Sequence, residues 1–137
     1  MPYDRPPVHR KRFEVSIRDC DGLGHVNHVV YLTYLEMARA EWALAVRGTK
    51  GHAGLGFIFA RIEADYRAEA TFGDVLEVSI WPVRVGTKSW TLGYEIRRVG
   101  SEELVLEAQT VLVSYDFEAG TSIPVQPELR AALEAGR

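Results

Sequence analysis

The residues most capable of chemistry lie together between positions 18 and 28. This stretch reads Arg-Asp-Cys-Asp-Gly-Leu-Gly-His-Val-Asn-His and leads directly into an apolar run that begins at Val29. It supplies two carboxylates, two imidazoles, an amide side chain and two glycines next to an element that should belong to the core. Such a concentration of polar groups indicates a site that handles a polar reacting group.

Asp21 is the candidate catalytic carboxylate of this stretch. The apolar run predicts a helix from Asn27 or His28, and a helix N-terminus presents unpaired N–H groups with a partial positive charge. Such amides can stabilise an oxyanion on a carbonyl, and Gly22 and Gly24 let the backbone come close. Asp21 would then act as a nucleophile or a general base. The residues alone leave one alternative open, that Asp21 or Asn27 only caps the helix.

The neighbours of Asp21 in the chain favour a carboxylate chemistry over a thiol chemistry. Asp19 and Asp21 project to the same side of an extended chain, so their repulsion is expected to raise the pKa of one of them. Cys20 lies between these two carboxylates, which disfavour a thiolate, and a free cysteine is usually a small buried apolar residue. We therefore do not expect Cys20 to be a nucleophile.

Metal and cofactor sites are not expected. His25 and His28 could start a metal site, but no further ligand follows at an obvious spacing. A calcium loop fails because Leu23 and Val30 stand where oxygen ligands are needed. The Gly-Leu-Gly triplet lacks the third glycine and the βαβ context of a dinucleotide-binding fingerprint. The sequence therefore predicts chemistry carried by side chains and backbone amides alone.

A strand, a loop and a long helix must position this site. Residues 8–18 predict a strand, residues 19–26 a loop, and the apolar run a helix from Asn27 or His28 to Arg47. Several charged side chains near the middle of that run would be costly in lipid, so a membrane span is not expected.

The helix is apolar around most of its circumference and must therefore be surrounded by protein. Its polar residues Thr33, Glu36, Arg39 and Arg47 share one narrow face, where Glu36 is placed to pair with Arg39 three positions on. Glu41 lies on the opposite, apolar side, and we expect a structural role for it.

The remainder of the chain has the period of strands. Ile58, Ala60, Ile62, Ala64, Tyr66 and Ala68 alternate with polar residues, and further runs follow at about 76–80, 90–96 and 105–117. A short helix runs from Pro127 to Gly136. Short connections imply antiparallel neighbours, so one long antiparallel sheet should wrap around one central helix. This is an α+β hotdog fold, and we expect a single domain over residues 1–137.

Composition limits the partners. A net charge of −3 and a pI of about 5.8 argue against a nucleic-acid binder. One cysteine requires no oxidising compartment, and the N-terminal stretch lacks the apolar core of a signal peptide. We expect a cytoplasmic protein without a membrane partner. An exposed sheet edge needs protection or pairing, so a homodimer or homotetramer is expected.

Residues 19–39 resemble the signature of 4-hydroxybenzoyl-CoA thioesterase-like hotdog proteins. Asp19-Cys20-Asp21-Gly22-Leu23-Gly24-His25-Val26-Asn27-His28 and the following Tyr31, Tyr34, Glu36 and Arg39 match the pattern D-x-D-x-x-G-H-V-N-x-x-x-Y-x-x-Y-x-E-x-A-R. The resemblance continues through Tyr66 and through residues 73–78 and 86–89. It implies an enzyme that hydrolyses acyl-CoA thioesters.

The resemblance also implies roles for individual residues. Asp21 matches the catalytic carboxylate, and the backbone N–H near His28 matches the group that polarises the thioester carbonyl. The His28 side chain occupies a position that is functional in some relatives. Gly24, His25 and Asn27 shape the loop or line the substrate site. Lys88 and Ser89 match a segment that contacts the nucleotide and pantetheine of CoA in relatives.

Two other functions remain open from the sequence. The chain could be a hotdog module that binds an acyl-CoA or an acyl carrier protein without turning it over, since a fold does not guarantee chemistry. It could also be a hydratase or dehydratase, which would use His25 or His28 together with an acid. The acyl group itself is not defined, because Tyr31, Tyr34 and Phe59 suit a substrate pocket and a core equally well.

Overall fold

The computed structural model describes residues 3–47 and 56–137, and these residues form one sheet around one long helix. The elements are β1 (His9–Glu14), a 3-10 helix (Ile17–Asp19), α1 (His28–Arg47), β2 (Phe57–Tyr66), β3 (Val75–Val85), β4 (Ser89–Arg98), β5 (Leu104–Asp116), β6 (Thr121–Ser122) and α2 (Pro127–Gly136). The predicted bounds of both helices are confirmed. The short strand β6 is a feature that the sequence pattern did not predict.

The strands are antiparallel in the order β1-β3-β4-β5-β2, with β6 paired to β5. The sheet packs its apolar face on α1, where Leu35, Ala38 and Trp42 join Ile80 and Leu92 in one buried cluster. This arrangement is the hotdog fold, and the predicted fold class is confirmed. It rests on burial of apolar surface on both the helix and the sheet.

The expectation that consecutive strands are neighbours is wrong for β2. This strand pairs with β5 and lies at the opposite side of the sheet from β1. The segment 67–74 makes the crossing, running over the end of the sheet to the start of β3, and the amides of Arg67 and Ala68 donate to the Val105 carbonyl on the way. The crossing matters for function because it forms the surface on which the polar loop lies.

The first strand is shorter than the predicted range 8–18. It ends at Glu14, and the chain then bends into the 3-10 helix Ile17–Asp19. Two hydrogen bonds fix this bend, because the Ser16 amide donates to the Asp19 carboxylate and the Asp19 amide donates to the Ser16 carbonyl. A side chain that bonds the nearby backbone competes with strand pairing, which explains the early end.

The simple alternation predicted for β2 is also broken. A β-bulge between Phe59 and Arg61 inserts one residue, so the pairing with β5 shifts there. Phe59 and Ile62 consequently line the same cavity beside α1. Ile58 and Ala60 therefore do not share a face with Ile62, contrary to the pattern in the sequence.

Helix α1 is only partly covered within one chain. Tyr31, Leu35 and Ala38 lie in the core, whereas Val29 is 53% exposed and Met37 is 47% exposed. The expectation that protein surrounds this helix is therefore met on one side only. Val29 and Met37 are exposed apolar side chains on a part of the helix that also carries the exposed Thr33 and Glu36.

The predicted polar face of α1 is only partly exposed to solvent. Thr33 and Glu36 are exposed, but Arg39 is only 6% exposed and points into the molecule. Glu36 comes no nearer than 4.0 Å to the guanidinium. Among the described residues, no helix is long and apolar enough to cross a membrane.

Candidate active site

The polar loop before α1 is a closed, hairpin-like turn. The Asp21 amide donates to the His25 carbonyl at 2.9 Å, and the Asn27 amide donates to the Asp19 carbonyl at 2.8 Å. Cys20 and Val26 form an isolated antiparallel bridge between them. Three successive pairings hold the two sides of the loop together, so the position of Asp21 is fixed relative to the helix start.

The crossing segment 67–74 is hydrogen-bonded to this loop. The Val26 amide donates to the Ala70 carbonyl at 2.9 Å, and the Thr71 hydroxyl donates to the Gly24 carbonyl at 2.9 Å. Gly24 has a φ of 83°, a backbone conformation that residues with a side chain rarely adopt. Gly24 therefore shapes the loop through its backbone conformation, one of the two roles predicted for it.

Arg98, at the end of β4, clamps the crossing in place. Its guanidinium donates to the Glu69 carbonyl at 2.7 Å, to the Asp74 carboxylate and to the Glu103 carboxylate at 3.0 Å. Bonds between an arginine and carboxylates are stronger than neutral ones. Sequence reasoning missed this residue because its partners are up to 29 positions away and no local pattern connects them.

The N-terminus of α1 offers one free donor. The Asn27 side chain accepts a hydrogen bond from the Val29 amide at 3.0 Å and so caps the helix. The Tyr66 hydroxyl donates to the His28 carbonyl at 2.8 Å, which ties the end of β2 to the same turn. Within residues 3–47 and 56–137, no acceptor lies opposite the His28 amide. That amide is available for a substrate carbonyl.

Asp21 is exposed and does not cap α1, so the capping alternative applies to Asn27 alone. Its Oδ1 accepts the Leu23 amide at 2.9 Å, a bond within its own loop. In the described chain no hydrogen bond occupies Oδ2. The Asp21–His25 and Asn27–Asp19 hydrogen bonds hold the loop beside the start of α1, with Asp21 on its exposed surface.

Asp19 has a structural role. Its carboxylate accepts the Tyr34 hydroxyl at 2.6 Å and the Ser16 amide at 3.0 Å. Burial opposes ionisation, but these bonds outweigh it and hold the pKa of Asp19 below its ordinary value. Burial and the bond to Asp19 together raise the pKa of Tyr34. The repulsion from Asp21 predicted from the alternating spacing is not what governs Asp19.

The two histidines of the loop differ in their surroundings. His25 is half-buried, and its Nδ1 lies 3.1 Å from the Glu69 carboxylate, which orients the imidazole along the crossing. His28 is exposed on the first turn of α1. Across the described ranges, no group of three or more His, Cys, Asp or Glu side chains is arranged to hold a metal ion.

Lys88 and Ser89 lie far from Asp21 within one chain. The loop of Asp21 lies over the start of β3, whereas Lys88 follows the end of β3 in the turn to β4. β3 has 11 residues, so about 35 Å separates its two ends. The structure therefore brings Gly24, His25, Asn27 and His28 together with Asp21, but it does not bring Lys88 and Ser89 to the same place.

Residues 15–133 match the profile of the thioesterase-like superfamily. The chain belongs to the thioesterase-like superfamily. The match spans the polar loop, α1 and the four long strands β2 to β5. The predicted class of enzyme, a hydrolase of thioester bonds, is confirmed by this membership.

Solved structures agree with the fold. A thioesterase from Thermus thermophilus complexed with coenzyme A and Zn is 28% identical, with a TM-score of 0.82 over 95% of this chain and 94% of that one. A putative thioesterase from Pseudomonas aeruginosa is 27% identical, with a TM-score of 0.83 over 93% of this chain and 98% of that one. A 1,4-dihydroxy-2-naphthoyl-CoA thioesterase from Synechocystis is 22% identical, with a TM-score of 0.81 over 91% and 94%, and supports the fold alone. A search of curated proteins finds no match.

Proposed function

We propose that this thioesterase-like protein hydrolyses acyl-CoA thioesters with Asp21 as the reacting carboxylate. The observation that carries the proposal is the position of an exposed carboxylate on a loop fixed beside a free helix N-terminal amide. The complex of the Thermus thermophilus relative with coenzyme A supports CoA as the carrier of the acyl group. The motif over residues 19–39 supports kinship with the 4-hydroxybenzoyl-CoA thioesterase-like proteins.

The chemistry requires an electrophile and a nucleophile. The His28 amide and the partial positive charge of α1 would stabilise the oxyanion that forms on the thioester carbonyl. Asp21 would either attack the carbonyl, expelling the CoA thiolate and leaving an anhydride that water cleaves, or remove a proton from the attacking water. Both routes yield the free acid and CoA thiol. The His28 side chain, exposed on the same turn, would line the entrance to this site.

We infer from the distance between Asp21 and the Lys88–Ser89 turn that two chains would build one site. A single CoA thioester cannot meet Asp21 and Lys88 of the same chain across the length of the sheet. Antiparallel pairing of two β2 strands would bring the β3–β4 turn of one chain close to the Asp21 loop of the other. The ammonium of Lys88 would then contact a CoA phosphate as a point charge. This reasoning supports the expected homo-oligomer, with a dimer as its basic unit.

The decisive experiment is an activity panel. Purified protein would be incubated with acyl-CoAs of different length and type, and the release of free CoA thiol followed by a colour reaction. We expect turnover of at least one class, and a loss of about 10²- to 10⁴-fold in kcat for Asp21→Asn, the range that a proton-transferring group contributes. Binding of CoA thioesters should persist in this variant.

The control is Asp4→Asn, since Asp4 is an exposed carboxylate outside the site. It should leave the rate unchanged. Full activity of Asp21→Asn would overturn the assignment of the carboxylate. Tight binding of acyl-CoA without any thiol release would favour the binding module instead.

A further inference from the structure

Arg39 is an anomaly in the core of the molecule. The residue is 6% exposed, and its guanidinium is packed between α1 and the sheet. Its Nη1 lies 3.4 Å from the Tyr94 hydroxyl, at the limit of a hydrogen bond, and its Nη2 lies 4.0 Å from the Glu36 carboxylate. Its Nε is fully buried and has no hydrogen-bond partner among residues 3–47 and 56–137.

Such an environment is unfavourable for a cation. A buried charge is normally paired, because its lost hydration must be replaced by hydrogen bonds and an opposite charge. Arg39 has instead one aromatic ring at 5.0 Å, that of Phe59, a hydroxyl that is already bonded to Thr110 at 2.6 Å, and the largely exposed Glu36 carboxylate at 4.0 Å, the limit of an ion pair. The described protein therefore supplies a donor that lacks an acceptor.

The donor borders a cavity that starts near the catalytic end of α1. This cavity has a volume of about 210 Å³ and is lined by Leu32, Leu35, Glu36, Arg39, Phe59 and Ile62. The β-bulge in β2 directs Phe59 to this cavity, where it covers the guanidinium. Arg39 also borders a narrower apolar gap with Trp42 and Trp90 further along the helix. The walls are apolar apart from Glu36, and Arg39 is the cationic residue of the lining.

The helix itself connects the cavity with the candidate site. His28, Leu32, Leu35 and Arg39 are spaced i, i+4, i+7 and i+11, so they form one row on α1. The row is about 16 Å long, and side chains lean towards the helix N-terminus, which shortens the path to the guanidinium. An extended chain gains roughly 1.2 Å per bond, so on the order of ten chain atoms would cover the distance.

We propose that Arg39 binds a carboxylate at the far end of the substrate's acyl chain. The preferred substrates would then be CoA thioesters of dicarboxylic acids of medium length. This inference rests on the proposed function, because it assumes that the thioester carbonyl lies at the His28 amide. A carboxylate in the cavity would accept a hydrogen bond from the guanidinium, whose nearest anionic partner is 4.0 Å away, whereas a methyl end would leave the guanidinium as it is.

A second copy of the chain is a less suitable partner for this group. A strand added at the edge of β2 would meet the exposed surfaces of Phe59 and Ile62. The Nε atom is fully buried. A flexible acyl chain that enters along the helix row would meet the part of Arg39 that lines the cavity.

The test compares CoA monothioesters of dicarboxylic and monocarboxylic acids of equal length, from about six to twelve carbons. In the wild type, we expect kcat/KM for the carboxylate-ended series to exceed that for the methyl-ended series by about 10-fold or more at the best length, because a buried donor left unpaired penalises the analogue without an acceptor. Arg39→Met should abolish this preference, and Arg39→Lys should keep part of it. Arg84→Met, which replaces an exposed arginine, should keep it fully.

Three results would overturn the inference. The wild type could hydrolyse methyl-ended thioesters at least as fast at every length, a result that does not depend on whether the variants fold. Arg39→Met could lower the rates of both series equally. Arg39→Met could convert an oligomer into a monomer, which would assign the guanidinium to a second chain. Failure of the proposed function would look different, because no thioester of either series would then release thiol or Asp21→Asn would retain full activity.

Discussion

The two edges of the sheet are built in opposite ways. The β1 edge is charged and tied down: Lys11 and His9 reach the Glu41 carboxylate on α1 at 2.7 and 2.9 Å, and Arg12 pairs with Glu77 at 2.9 Å. The β2 edge is ten residues long and exposes apolar side chains, among them Phe59 at 46% and Ile62 at 37%, beside the exposed ion pair of Arg61 and Glu63. Charged side chains tied to other elements protect an edge strand against pairing, whereas a long edge with exposed apolar side chains invites it.

This difference favours β2 as the edge that would pair with a second chain. The β2 edge borders α1, where Tyr66 contacts Tyr31 and where Phe59 and Ile62 line a cavity with Leu32. Tyr66, the last residue of β2, donates a hydrogen bond to the His28 carbonyl at the start of α1. The surface proposed for dimerisation and the candidate site therefore share a border. Glu41, by contrast, has the structural role expected from the sequence, since it joins α1 to the protected edge.

Lysines introduced on the β2 edge test whether this edge, and not β1, pairs with a second chain. The double variant Ile58→Lys, Ile62→Lys places like charges on both faces of β2, and these would repel their copies in a pair. We expect a monomeric mass by light scattering and a loss of thioesterase activity of about 100-fold, the size of effect that misplaced reacting groups produce.

The matched control for that experiment is Glu14→Lys on the β1 edge, where the side chain is exposed. It should leave both the mass and the activity unchanged. A double variant that remains an active oligomer would show that β2 is not the interface.

The crossing between the two edges should be the most sensitive structural feature. Arg98→Ala removes the contacts to the Glu69 carbonyl and the Asp74 carboxylate, which hold residues 69–74 against the polar loop, and the contact to the Glu103 carboxylate. We expect a loss of about 2 kcal/mol in the free energy of unfolding, as is typical for charged hydrogen bonds left unmade. Urea denaturation would measure it, with Arg84→Ala as the exposed control. A loss no larger than that of the control would contradict the clamp.

The smallest expected effect is the contribution of Asp19 to the pH dependence of stability. The pKa of Asp19 is lower in the folded state than in the unfolded state, so its ionised form stabilises the fold at neutral pH. This contribution should be lost as the pH falls below about 4 towards the folded pKa. Unfolding free energies measured between pH 6 and pH 3 should fall less steeply for Asp19→Asn than for the wild type. Parallel curves would contradict this role of the Tyr34 and Ser16 bonds.

Local pattern predicted what depends on local physics. The bounds of α1 followed from its apolar run and polar N-cap, and Asn27 confirms the capping signal, while the alternating strands gave the hotdog fold. The position of Asp21 beside the helix start followed from chain proximity alone. These features need only nearest neighbours in the sequence.

The remainder depends on contacts between distant segments. The bulge that redirects Phe59 and the burial of Arg39 arise from how β2 pairs with β5 and packs on α1, which no alternation reveals. The pairing of β2 with β5 instead of β3, and the clamp by Arg98, likewise connect residues far apart in the chain. The resemblance assigns Lys88 to the site, whereas the length of β3 separates it from Asp21 within one chain.

Mixed dimers test the central claim, that Asp21 of one chain and Lys88 of another build one site. An inactive Asp21→Asn chain and a Lys88→Glu chain would be co-expressed with different tags, and the heterodimer purified through both. One of its two sites would then hold an intact Asp21 and an intact Lys88, so we predict about half of the wild-type rate from two nearly inactive parents. A heterodimer no more active than its parent homodimers would contradict the account.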